Sequence, residues 1–225
     1  MARALHFAAA VTALYCALVL QLRPAFQLHF KHEVQGYFAD GAPRWRCALG
    51  LLTQAAVLPA LFAASAYRRG GGMRRWGARF AAGDATAGEW TFVLLFAAFL
   101  LLDWRLVDVR PLMAAHHAVC LAGHAVGTLL RPHAFPYYFA GVCALELGSA
   151  SCNLFCMYPS SAAVGVAYLA IVSATHLATL ACAVRWVEAV RSRASQAFAL
   201  VVTVGLVVIR QKEALAATSH LWSSR

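Results

Sequence analysis

"WTFVLLFAAFLLLDWRLV", Trp90 to Val107, is apolar without interruption from Phe92 to Leu102 and then meets a carboxylate at Asp103. Such a stretch fits a membrane-spanning helix, which needs about 20 mostly apolar residues to cross roughly 30 Å of hydrocarbon. Similar runs cover Ala4 to Leu22, Cys47 to Ala66, Leu112 to Leu130, Pro136 to Met157, Ala162 to Val184 and Gln196 to Ile209. The last is strongly apolar only in "AFALVVTVGLVVI" and spans if Arg193 and Arg210 snorkel to opposite interfaces. The expected fold is an all-α polytopic transmembrane bundle of seven helices, or six without that run.

Composition agrees, because 62% hydrophobic and 12% charged residues, at a mean hydropathy of +0.65, exceed what one soluble core requires. Between the runs the longest connections are Arg23 to Arg46 and Tyr67 to Glu89, so residues 1–225 read as a single membrane domain. Arg3 before the first run would suit a signal peptide, but "LQLRPAF" offers no small-residue cleavage site, and the run is expected to be an anchor helix.

The formal charge of +10 gathers at helix ends and in loops, where anionic head groups rather than nucleic acid are the expected partner. "YRRGGGMRRWGARF", Tyr67 to Phe80, is the densest cluster. Its arginines, Arg68 to Arg79, with Trp76 and Phe80 interleaved, suit a segment lying on head groups beyond a glycine hinge at Gly70 to Gly72. Lys and Arg divide almost evenly between the two sides of a seven-helix topology; the weight of this compact loop places the amino terminus in the cytosol.

Seven cysteines include no CxxC pair, which argues against a zinc site and a disulfide scaffold. The nine histidines are scattered, with "HFKH" at His29 to His32 the one near-box outside the spans, so the clustered ligands of a di-iron lipid desaturase are missing. No metal and no cofactor is expected. Walker, dinucleotide and G-x-S-x-G signatures are absent, as are the inverted repeats of many transporters.

A spanning helix can be all leucine, so each polar group kept at depth needs a partner or a job. Gln54 and the kink-forming Pro59 lie in the second run; Asp103, Arg105, Asp108 and Arg110 follow the third. The fourth, "PLMAAHHAVCLAGHAVGTLL", carries His116, His117, His124 and Thr128. At 100° per residue His117, His124 and Thr128 share one broad face, while His116 points away. In "ALELGSASCNLF" of the fifth run, Glu146, Ser149 and Asn153 form one stripe, with Gly148 and Ala150 permitting close approach. A carboxylate there costs at least about 2.5 kcal/mol unless protonated or paired, and a histidine of the fourth run is its expected partner. The sixth run adds Ser173, Thr175, His176 and Thr179, whose hydroxyls can bond their own helix.

The order of Asp103 at one helix exit, His116 and His117 opening the next helix, then E-x-x-S-x-x-x-N at Glu146, Ser149 and Asn153 resembles the TLC domain family. The resemblance covers about 45–210, with the motifs within 90–190. It implies six or seven helices around a lipid-accessible cavity, a role in lipid homeostasis, sensing or transport, and an endoplasmic reticulum or other endomembrane address. The chain looks more like the small TLC-domain proteins than like ceramide synthases, because the long L-H-D-x-x-D signature is missing. His176 stands where the small members commonly carry an arginine.

Two function classes follow. In the first, a membrane lipid is bound in an intramembrane cavity, its head held by His117, His124, Glu146, Ser149, Asn153 and His176. In the alternative, a ceramide-synthase-like acyltransferase takes acyl-CoA as substrate and uses His116 or His117 as base or nucleophile, oriented by Asp103.

Overall fold

A computed structural model describes residues 2–29, 44–106, 111–219 and 221. Asp108, Arg110 and His32 of the "HFKH" stretch lie outside these. The described residues are helical throughout their ordered elements and contain no strand. We number the helices α1 (Ala2–His29), α2 (Arg44–Arg69), α3 (Met73–Ala81), α4 (Ala87–Leu106), α5 (Pro111–Ala125), α6 (Phe135–Met157), α7 (Ala162–Ala189) and α8 (Arg193–Thr218). Among the described residues, six stretches are long and apolar enough to span a bilayer: α1, α2, Ala87–Trp104 of α4, Pro132–Met157, α7 and α8. Histidine-bearing α5 is 15 residues long and is prolonged by a π-helical turn, Val126–Leu130. The weak seventh run proves to be the middle of a 26-residue helix.

Local chemistry sets the boundaries. Thr86 and Glu89 form a reciprocal capping box at the start of α4, with Thr86 N–H donating to Glu89 Oε2 at 2.6 Å and Glu89 N–H to Thr86 Oγ1 at 3.3 Å. Ser161 and Ser192 cap α7 and α8 by accepting from Val164 and Ser195 N–H. Pro136 occupies the first turn of α6, where its missing N–H costs nothing. A second π-helical turn, Thr53–Val57, interrupts α2.

α6 is the central helix, with 56% of its most apolar window buried, against 6% for α8 at the rim. Phe92, Phe135 and Phe139 are wholly enclosed and stack with Phe80, Leu58 and Leu95 in the main core. Large apolar side chains elsewhere point outward, among them Leu18, Leu177, Val201 and Val208. In water such a surface would aggregate; against acyl chains it is the solvated face.

α3 departs from the expected head-group segment. Trp76 and Phe80 are buried in the bundle instead of dipping into lipid. Trp76 Nε1 donates to Glu89, and Phe80 stacks on Phe135. Arg69 grips the fully buried Glu89 with two prongs, Nε to Oε1 at 2.7 Å and Nη2 to Oε2 at 2.5 Å, and reaches Asp84 as well. Gly70, Gly71 and Gly72, with φ of 52°, 65° and 85°, make the turn that lets α3 fold back. At Gly77 the backbone of His133 comes so close that no side chain fits.

Candidate functional site

The start of α2 and the end of α4 meet through Arg46 and Asp103. Nε donates to Oδ1 and Nη2 to Oδ2, each at 2.6 Å. His117 of α5 joins them, its Nε2 3.3 Å from Asp103 Oδ2. Its Nδ1 is buried with no hydrogen-bond partner among the described residues. An imidazole held by a carboxylate at one nitrogen has a defined ring orientation and leaves the other nitrogen as a basic lone pair. His116 points elsewhere, its Nε2 3.6 Å from Cys120 Sγ.

Glu146 finds an amide partner, not the expected imidazole. Gln54 Nε2 donates to Glu146 Oε2 at 2.5 Å, and Asn153 Nδ2 donates to Gln54 Oε1 at 2.8 Å. Gly50 lies against Asn153, so α2 and α6 approach closely at this network. Ser149 accepts from Arg210 Nη2 at 2.7 Å, and Arg210 Nη1 donates to the Leu145 carbonyl at 3.3 Å. Arg210 thus turns into the bundle instead of snorkelling outward.

Two histidines stand apart from this cluster. His124 lies between Tyr138 and the Val93 carbonyl, with Nδ1 2.8 Å from the hydroxyl and Nε2 2.8 Å from the carbonyl oxygen. The carbonyl can only accept, so Nε2 carries the proton and Nδ1 accepts from Tyr138. His176 meets Gln211, with Nδ1 2.9 Å from Oε1, while Gln211 Nε2 donates to Ser173 Oγ at 3.0 Å. His176 Nε2 is buried and has no partner among the described residues.

A pocket of about 140 Å³ lies between α5, α6, α7 and α8. Its walls are mainly apolar, including Phe96, Val142, Leu145 and Leu206, and Glu146 and Cys120 stand among them. Gly123 faces the pocket, and a methyl group added there would meet nothing. His117 is not among the lining residues; Glu146 links the pocket to the Gln54–Asn153 network.

Glu146 and Asn153 are joined through Gln54, and Asp103 and His117 pair directly. Ser149 is bound by Arg210, while His116, His124 and His176 take other partners. Arg46, Arg210, Tyr138 and Gln211 carry essential contacts that sequence reading passed over. Arg46 and Arg210 resemble ordinary interfacial cations when only their distance from an apolar run is considered. Among the described residues, no group of three or more His, Cys, Asp or Glu is placed to hold a metal ion. The chain matches no protein-family model, no curated protein and no solved structure.

Proposed function

We propose that this multi-pass membrane protein binds a membrane lipid, with part of the chain in the α5–α8 pocket and the polar head at Glu146. The carrying observation is a buried carboxylate set in the wall of an otherwise apolar pocket and braced from behind by Gln54 and Asn153. Binding pockets pair apolar walls with a few fixed polar groups in this way. An engineered cavity of about 150 Å³ takes up benzene, so this pocket suits one end of a hydrophobic chain, the remainder continuing along neighbouring helices. The resemblance to small TLC-domain proteins supports the same reading and carries with it a role in lipid homeostasis and an endomembrane address.

The test is organic extraction of the purified protein followed by mass spectrometry, beside Gly123→Phe, which places a ring in the open space. The wild type is expected to release lipid above detergent background, and Gly123→Phe to release at least several-fold less. A wild type that carries none overturns the proposal.

One observation favours a second reading, an acyltransferase. The imidazole of His117 is oriented by Asp103 and keeps a buried Nδ1 with no partner among the described residues. In such a reaction Nδ1 takes a proton from the attacking amine while the thiolate of coenzyme A leaves the acyl carbon. Incubation with acyl-CoA and a long-chain amine, beside a His116→Ala/His117→Ala variant, tests it. Equal turnover by both proteins removes the histidines from the chemistry.

A further inference from the structure

Among the side chains described, the exposed arginines of the loops and turns gather at one end of the bundle. Hydrogen bonds from Gln196 to the Val187 and Val190 carbonyls, from Arg131 to Ser195, and the seat of Gly77 on His133 bring α3, the α5–α6 turn and the α7–α8 turn to one end. Alternating helix direction places the amino-terminal end of α1 there too. That end exposes Arg68, Arg74, Arg75 and Arg79 around α3, together with Arg191 and Arg193. Asp84 and Glu188 are the exposed acids among its described residues, engaged by Arg79 and Arg185 at 2.6 and 2.9 Å. At the opposite end Arg23, Arg44, Arg46 and Arg210 are partly buried, and Lys212 is exposed.

How α3 is held decides what this charge can meet. An ordinary interfacial helix inserts its apolar side into lipid and moves with it. Here that side is occupied: Trp76, Gly77 and Phe80 are buried against the protein. Only the arginine-bearing side remains, on a helix fixed at Glu89. Because α2 ends at Arg69 and α4 begins at Ala87, the helix lies at the level where the spans leave the hydrocarbon. Guanidinium groups bind phosphate oxygens in bidentate fashion, and each basic residue near an anionic surface contributes about 1 kcal/mol.

We infer that the exposed arginine face of α3, Arg68, Arg74 and Arg75 with Arg79 beside them, is a fixed docking surface for anionic phospholipid head groups. The surface selects lipid by charge, separately from the pocket between α5 and α8.

The test uses the full chain in nanodiscs of phosphatidylcholine mixed with phosphatidylserine, read by native mass spectrometry of the lipid retained after release. The wild type is expected to retain phosphatidylserine several-fold above its share of the disc, less so as salt rises, because exposed charges are screened. Arg68→Gln/Arg74→Gln/Arg75→Gln should lose that enrichment, with Lys212→Gln at the other end keeping it. Circular dichroism melting of the triple variant checks that the fold is kept; if it melts early, Arg74→Gln and Arg75→Gln are read singly, each expected to reduce enrichment. Retention in proportion to disc composition by the wild type, or unchanged enrichment in the arginine variants, overturns the inference. A wild type that retains no phosphatidylserine yet is cross-linked at α3 to an acidic protein overturns it in favour of a protein partner.

Discussion

Arg46 and Asp103 are 57 residues apart in sequence and joined by two parallel hydrogen bonds of 2.6 Å, one from Nε and one from Nη2. The pair locks α2 to α4 where both approach the same end of the bundle. Removing one partner strands a charge in a mostly buried place. Asp103→Ala is expected to cost roughly 3 kcal/mol, near the low end for breaking a buried pair. Arg46→Met/Asp103→Leu should recover most of that loss, as followed by thermal unfolding in detergent.

Gly77 and Gly123 both lie in helices, yet the same substitution should have opposite effects. A methyl group at Gly77 runs into the His133 backbone, which cannot move aside cheaply. Gly77→Ala is expected to destabilise by about 1 to 3 kcal/mol, as overpacking does. Gly123→Ala meets open space and should stabilise by up to about 1 kcal/mol through helix propensity. Melting temperatures of the two variants moving in the same direction would refute this.

Tyr138→Phe leaves Nδ1 of His124 buried without a donor, at a cost of about 1 to 3 kcal/mol. Because the Tyr138 hydroxyl is engaged by His124 while its ring, part of the pocket wall, is kept in phenylalanine, this variant should retain lipid at the wild-type level once folded. His117→Ala, outside the pocket wall, should leave lipid retention unchanged and remove acyl-CoA turnover if the second reading holds. Lipid extraction, melting and turnover on the same samples separate the outcomes.

Glu89 accepts from Arg69, Trp76 and the Thr86 backbone, so its removal frees several donors together. Glu89→Ala should release α3 from the bundle. Limited proteolysis is then expected to cut between Arg68 and Arg79, where the wild type resists. Equal cutting in both proteins would place the hold on α3 elsewhere.

Much of the fold follows from apolar run length, because a lipid environment requires every span to be a helix. Helix ends were less legible. α1 continues past Leu22 to His29, through Pro24, and α8 gains its length from Lys212 and Glu213, which hydropathy alone reads as loop. Partner choice was harder still. The interval between Glu146 and Asn153 predicts a shared stripe, but selecting Gln54 over an imidazole depends on how α2 packs on α6. Similarly, the 100° rule puts His117 and His124 on one face, yet two turns of separation give them different neighbours in α4 and α6. For α3, composition shows an amphipathic segment and says nothing of whether lipid or protein covers its apolar side.

The π-helical turn Thr53–Val57 holds one residue more than an α-helix would place there. A residue deleted within it would be absorbed as the turn relaxed to regular winding, whereas one deleted from the α-helical stretch before it would rotate everything downstream by about 100°. Leu58 would then leave the core and Arg69 would swing away from Glu89, although hydropathy and span length would hardly change. α2 therefore tolerates exchange of one apolar residue for another far better than a change in their number: its phase is counted, and Gln54 sits inside the count.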